Sequence, residues 1–347
     1  MADVLTVRGL KAYYRTTHFG VNREVRAVDD VTMQVRQNEV YGIAGESSSG
    51  KTTFIKVLAA AVRPPLRIVE GSATYTFGSR SVDVARASPP EIEAIRWRNL
   101  SYIMQGSMSV LNPVVKIHRS FRDFAESHGR RMPKSELMEL ARRHVNELGL
   151  PTRILRAYPH QLSGGMRQRA IIALASFLSP KVLIADEPVT ALDVVVARGV
   201  LQFLKEVQER LKVSTILVTH DMGIHANVAD RIGIMYAGRL IEEASTHTIF
   251  KRPHHPYTKF LIGSLPQFGD KSMRQSAPGS PPSLAEPPPG CAFHPRCPHA
   301  MDICRREVPE FETVGEGHRV ACWLTQPAGT AGRATPPERA GRDEQHS

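Results

Sequence analysis

Eight consecutive residues, Gly45, Glu46, Ser47, Ser48, Ser49, Gly50, Lys51 and Thr52, fit the spacing G-x-x-x-x-G-K-[ST]. Small residues in such a loop let successive backbone N–H groups wrap a polyphosphate. Lys51 is spaced to reach the outer phosphates, and the Thr52 hydroxyl to bind Mg²⁺. The bland alternative, a Gly/Ser turn, leaves unexplained the apolar run VYGIA before the loop and the helical run TTFIKVLAAAV after it. Further along, VLIADEP sets Asp186 and Glu187 at the end of a second apolar run. Asp186 suits a Mg²⁺-water contact and Glu187 could polarise an attacking water, although such acids are often only turn formers when no phosphate loop lies upstream. His220 closes ILVTH, where it could contact a terminal phosphate; a solitary His would by default be structural. Cys291, Cys297, Cys304 and Cys322 are separated by five, six and seventeen residues, unlike the C-x-x-C pairs of zinc ribbons. Four converging thiolates could hold a tetrahedral Zn²⁺ or a [4Fe–4S] cluster, and unligated structural thiols are the third option. His294, His299 and His318 are near enough in sequence to replace a thiolate, but four cysteines suffice.

The elements that must position these groups alternate between strand and helix. VTMQV at 31–35, VYGIA at 40–44 and SATYTF at 72–77 read as strands, and VLIAD at 182–186 and STILVTH at 214–220 as buried central ones. SELMELARRHVNELG at 135–149 puts Leu137, Leu140, Ala141, His144, Val145 and Leu148 on one helical face, with Gly149 and Pro151 as stop signals. Residues 164–178 and 196–211 repeat the helical pattern, so the spacing predicts an α/β core around a helical insertion. Six prolines within residues 276–290 predict an extended connector, and the polar stretch 327–347 a disordered tail.

Composition sets the outer bounds. Of 347 residues 41% are hydrophobic and 23% charged, enough apolar material for a globular core. The excess of 45 Lys and Arg over 34 Asp and Glu, a formal charge of +11, could face nucleic acid, an anionic membrane or a phosphorylated ligand. Residues 96–170 alone hold fourteen Lys and Arg against five Asp and Glu, so most of the excess sits in the helical insertion. Cysteines confined to 291–322 argue against a disulfide framework spread through a secreted fold. No stretch approaches the apolar length of a membrane span, and MADVLTVRGL lacks the basic and apolar regions of a leader, which predicts a cytoplasmic chain.

These pieces, with LSGGMRQR at 162–169, resemble the ATP-binding cassette family, whose phosphate loop, glutamine, signature, carboxylate pair and histidine come in this order. Gln105 in SYIMQ lies 54 residues after Lys51, Asp186 lies 23 after Ser163, and His220 lies 34 after Asp186. The resemblance implies a P-loop NTPase (RecA-like) cassette core at 1–245 with a helical subdomain at about 96–175. A C-terminal extension and connector at 246–290 and a small Cys-rich metal-binding module at 291–326 follow. It implies ATP contacts from Tyr14, Gly45, Ser47, Ser48, Ser49, Gly50, Lys51, Thr52, Thr53 and Gln105, with neighbouring Tyr13 leaving the register of the stacking aromatic open. Mg²⁺ would be held through Thr52, Gln105 and Asp186, catalysis carried by Glu187 and His220, and the two nucleotide sites linked through Asp193 of TALD. Ser163, Gly164, Gly165 and Met166 would serve the ATP of a partner cassette in a head-to-tail dimer. Two positions depart from the family pattern: Ser48 stands where a third glycine is usual, and Gly106 where an aspartate commonly follows the glutamine. A Cβ leaves Ser48 less free to adopt positive φ.

SMSVLNPVVKI at 107–117, MYAGRLIEEA at 235–244, HHPYTKFLIGSLP at 254–266 and the Cys-containing end resemble the oligopeptide and dipeptide importer ATPases, so similarity covers roughly residues 4–325. That branch implies a homologous ATPase subunit as heterodimer partner, two transmembrane permease subunits and an extracytoplasmic solute-binding protein, at the cytoplasmic face of the plasma (inner) membrane. It tips the cysteines toward a [4Fe–4S] cluster over Zn²⁺. Some relatives carry nickel or oligosaccharides instead. The basic insertion is then expected to complement acidic permease loops or anionic lipid, the alternative being a solvated helix face. Charge reversal at Arg130, Arg131, Arg142 and Arg143 that left assembly and transport unchanged would remove that expectation. A cassette ATPase of DNA repair is the reading from a different class. Such proteins insert zinc modules or coiled coils within the cassette, or fuse two cassettes, so no nucleic-acid partner is expected here. A ribosome-associated cassette protein fails for want of a second cassette.

Overall fold

Period-two alternation and β-branched runs become two sheets in the computed structural model, which describes residues 2–18, 21–265 and 277–326. The tail expected at 327–347 and part of the connector lie outside the described residues. Asp3–His18 (β1) and Val21–Arg36 (β2) pair antiparallel, and Val40–Ala44 (β3), buried at all five positions, leads through the Gly/Ser loop into Lys51–Leu58 (α1). Leu66–Phe77 (β4) returns beside β1 and Arg80–Asp83 (β5) beside β4, giving a four-stranded sheet in the order β2-β1-β4-β5. Pro89–Ile95 (α2) precedes Leu100–Ile103 (β6), and the helical insertion follows as Ile117–Ser127 (α3), Lys134–Glu147 (α4) and Gly164–Ser176 (α5). Strand and helix then alternate through Val182–Asp186 (β7), Val194–Leu211 (α6), Ser214–Val218 (β8), Met222–Val228 (α7), Arg231–Tyr236 (β9) and Arg239–Ser245 (β10). Thr246–Lys251 (α8), Pro256–Gly263 (α9), Glu312–Gly315 (β11) and His318–Val320 (β12) complete the order.

The central sheet runs β11-β12-β10-β9-β3-β8-β7-β6. Its strands β6, β7, β8, β3 and β9 are parallel to one another, while β10 pairs antiparallel with β9, so helices must carry the chain back between the parallel strands. In an open parallel sheet the carboxyl ends of the strands face the ligand crevice. The Gly/Ser loop, Gln105, the Asp186–Glu187 pair and His220 follow the carboxyl ends of β3, β6, β7 and β8 respectively. In α4 the anticipated face is the buried one, with Leu137, Ala141, His144 and Val145 inside and Leu148 just past its end; the His144 ring bonds the Ala173 carbonyl at 2.9 Å.

The cysteine segment does not stand apart as a small appended body. Strand β12 pairs antiparallel with β10, Glu242 opposite Val320 and Glu243 opposite Arg319, and β11 adds the outermost strand. Phe293, 1% exposed, belongs to the same apolar core as β9 and α9. Two buried carboxylates pin the junction: Glu243 pairs with Arg231 and Arg319, and Glu242 bonds the His318 ring at 2.8 Å while accepting from the His254 N–H at 2.7 Å. No helix among the described residues is long and apolar enough to cross a membrane.

Candidate nucleotide site

The Gly/Ser loop forms because two glycines take conformations that exclude other residues. Gly50 sits at φ 99°, and a Cβ there would collide with the Ala27 carbonyl oxygen. Lys51, only 7% exposed, folds back into the loop, its Nζ donating to the Gly45 carbonyl at 2.6 Å, the Glu46 carbonyl at 2.7 Å and Ser49 Oγ at 3.2 Å. Those are the groups a polyphosphate would displace. Burial pulls its pKa down to about 8, against the opposing charges of Glu187, Asp186 and Glu46. Ser47, Ser48 and Thr52 are exposed on the loop. Ser48 holds φ 65°, so this residue does occupy the left-handed region its Cβ disfavours. Gly106 likewise sits at φ 70°, a conformation glycine adopts without the strain an aspartate would meet.

Asp186 ends β7 buried at 1% exposure, with Oδ2 accepting from the Tyr102 hydroxyl at 3.3 Å and Oδ1 without a partner. Burial, aided by the charge of Glu187, raises its pKa, opposed by Tyr102 and Lys51. An orphaned buried carboxylate oxygen on Asp186 and an exposed hydroxyl on Thr52 are the donor chemistry that a hard divalent cation satisfies. Glu187 turns out of the strand at φ 48°, and its carboxylate spans Thr190 Oγ1 at 3.0 Å and His220 Nδ1 at 2.8 Å. The His220 side chain is 66% exposed, so this pair opens to solvent. A cleft of about 660 Å³ begins at Glu187 and His220 and runs along Leu192 and Val194.

Of the two tyrosines, Tyr13 is buried with its hydroxyl on Asp29 at 2.5 Å, and Tyr14 is half-buried with its hydroxyl 3.2 Å from Thr53 Oγ1 on α1. Tyr14 is therefore the ring next to the loop helix. Gln105 is exposed in the loop after β6. Ser163 caps α5, its Oγ accepting from the Met166 N–H at 3.3 Å; Ser163 and Gly164 are exposed, and Gly165 is buried against Val196. Asp193 caps α6 by accepting from the Val196 N–H at 2.9 Å. Sequence reasoning missed Tyr102, Thr190 and a further pair described below, because each reaches its partner through the fold and carries no motif of its own.

The expected metal centre is not supported. Cys291, Cys297, Cys304 and Cys322 are free thiols, and among the described residues no group of three or more His, Cys, Asp and Glu side chains could hold a metal ion. Burial pushes Cys291 up to about 11 and Cys322 up to about 12, favouring neutral thiols. His318 is committed to Glu242, and the His294 ring bonds the Cys291 carbonyl oxygen at 3.0 Å.

Comparison with known proteins agrees with this geometry. The family model described as ABC transporter matches residues 28–190, and that described as oligopeptide/dipeptide transporter, C-terminal region, matches residues 241–304. The dipeptide transport ATP-binding protein DppD of Caldanaerobacter subterraneus is 41% identical over 93% of this chain and 98% of its own length. The protein of that name from Escherichia coli is 37% identical over 92% and 97%. An ATP-binding cassette solved as a dimer in a post-hydrolysis state with ADP and Pi shares the fold at TM-score 0.58 and 22% identity, covering 70% of this chain and 98% of that one.

Proposed function

The chain belongs to the ATP-binding proteins of ABC transporters, and from that premise we propose that it hydrolyses ATP to ADP and phosphate as the energising subunit of an oligopeptide or dipeptide importer. The observation that carries the cargo class is similarity through the C-terminal third: the peptide-transporter family model covers 241–304, and the dipeptide relatives match nearly end to end. In this reading the loop at 45–52 binds the polyphosphate, with Lys51 leaving its loop contacts for the phosphates and Tyr14 against the base. Thr52 and Asp186 would hold Mg²⁺, whose charge offsets that of the phosphates; Gln105 would join them on loop movement. Glu187 accepts the proton of the attacking water, and His220, hydrogen-bonded to it, keeps the carboxylate oriented. The exposed N-terminus of α5 at Ser163 to Met166 and the Asp193 turn serve the facing site of a homologous cassette.

The domain reading is a cassette at 1–245 with its helical subdomain at about 96–175, then 246–290, 291–326 and the tail. The chain docks on two permeases at the cytoplasmic membrane face, fed by a solute-binding protein. For the cysteines we keep the iron–sulfur reading over Zn²⁺. The thiols lie within range of one another's charge, and the Met301 N–H donates to Cys304 Sγ at 3.5 Å, as a donor that stabilises thiolate. The thiolates around a four-iron cube stand farther apart than four ligands of one ion. Iron content and visible absorption near about 400 nm in protein purified without air test it, and a colourless zinc protein reverses it. The function is tested by purifying the complex and identifying its subunits. Permease partners and ATPase stimulated by a peptide-loaded binding protein are expected. Specific, steeply salt-dependent retention of duplex DNA without permeases would refute it.

A further inference from the structure

The phosphate loop is held from a part of the chain 250 residues away. Arg296, between Cys291 and Cys297 in sequence, is 7% exposed and makes a two-pronged pair with Glu46, Nη1 to Oε2 at 2.9 Å and Nη2 to Oε1 at 3.2 Å. Its remaining donors are taken by the Pro278 carbonyl at 2.7 Å, the Ala277 carbonyl at 3.3 Å and the Tyr236 hydroxyl at 3.3 Å. The rings of Tyr236 and Phe293 lie beside the guanidinium, with centroids 5.8 and 5.9 Å away. This fork cannot swing. Glu46 is gripped elsewhere too: its N–H donates to the Tyr257 hydroxyl at 2.8 Å, and its carbonyl accepts from Lys51 Nζ. Two of these contacts, from Tyr257 and Arg296, therefore come from the chain beyond residue 245.

The electrostatics point the same way. Glu46 follows the first glycine of the loop, so its carboxylate is a negative charge beside the ground where phosphates would lie. Left unpaired it would repel them, and paired with Arg296 it is neutralised and fixed. We infer that Arg296 is a positioning residue for ATP binding, fixing the Glu46 carboxylate and masking its charge from the incoming phosphates. The inference rests on the reading of residues 45–52 as the nucleotide loop.

The test is equilibrium binding of a fluorescent ATP analogue to the full-length chain, with thermal melting recorded on the same samples. Arg296→Gln should weaken binding about tenfold, and Arg296→Lys, which keeps charge without the fork, by less. Glu46→Gln alone should change it less than about threefold, and Glu46→Gln combined with Arg296→Gln should return binding to within about threefold of wild type. A purely architectural Arg296 predicts the opposite: a lowered melting point with unchanged affinity in Arg296→Gln, or a double variant no better than the single, and either result overturns the inference. Lys51→Ala separates the two layers. If it abolishes binding while Arg296→Gln leaves the affinity unchanged, only the role of Arg296 falls; if Lys51→Ala binds normally, the loop reading falls and takes this inference with it.

Discussion

Nucleotide binding should take up a proton at Lys51, and the uptake should grow with pH. In the free chain the ammonium is buried against Gly45, Glu46 and Ser49, and burial holds its pKa at about 8 against an ordinary value of 10.5. Glu187, Asp186 and Glu46 already act in the opposite direction, so the depression is what survives their attraction. A polyphosphate adds several negative charges within reach and returns the group at least to its ordinary value. The sign follows: the bound state holds more protons than the free state between the two pKa values, and affinity falls as pH rises through about 8. Uptake is then roughly 0.1 proton near pH 7, half a proton near pH 8 and roughly 0.75 near pH 8.5. The raised thiols of Cys291 and Cys322 titrate above this window. Titration calorimetry with a non-hydrolysable ATP analogue in phosphate and in Tris, whose ionisation enthalpies differ, reads the uptake directly. Lys51→Arg, which does not titrate here, should bind with none of the pH-dependent part. An uptake flat from about pH 7 to 8.5, or unchanged in Lys51→Arg, would refute the buried, depressed lysine.

Two further outcomes follow from the same site. Glu187→Gln keeps the shape and the neighbours Thr190 and His220, so nucleotide affinity should hold within a few-fold while phosphate release by the assembled transporter drops by about 10²–10⁴; wild-type turnover would remove Glu187 as the base. Ser48→Gly relieves a left-handed serine costing about 1 kcal/mol, partly offset by the greater unfolded-state freedom of glycine, so the thermal midpoint should rise by about 2 °C or less, and a lowered midpoint would count against strain at φ 65°.

What the sequence made legible was local. The phosphate loop is contiguous, and its strand and helix lie on either side of it, so spacing alone locates Gly45 to Thr52. The buried runs of β7 and β8 carry their acids and histidine within two residues of the strand end. Tyr13 and Tyr14 show where this stops. Leu10 and Ala12 are buried, and strict alternation would bury Tyr14 next. Register shifts between Leu10 and Ala12 and between Ala12 and Tyr14 reverse the parity, sending Tyr13 inward and leaving Tyr14 beside α1. Pairs such as Tyr102 with Asp186 and Arg296 with Glu46 depend on sheet order and on how the C-terminal segment packs, and neither has a period or a spacing to betray it. For the cysteines, spacing suggested convergence but said nothing of the separation that distinguishes an ion, a cluster and free thiols.

The exposed groups add a constraint that the buried ones do not. Hydrolysis by a positioned carboxylate works best with bulk water excluded, yet the Glu187–His220 pair opens to solvent. Beside it, Val194 and Val195 at the start of α6 are 86% and 82% exposed, apolar surface lying next to the Asp193 turn and the cleft that reaches Glu187. The capped N-terminus of α5 presents unspent N–H groups at Ser163 and Gly164, and among the described residues no hydrogen bond ties it to the loop at 45–52. One surface would answer all three needs at once: it must cover valines, close a carboxylate off from water, and offer phosphate to a helix N-terminus. In the function proposed above, a homologous cassette facing this one would supply that surface, because a phosphate loop and an exposed helix N-terminus are what each has to exchange.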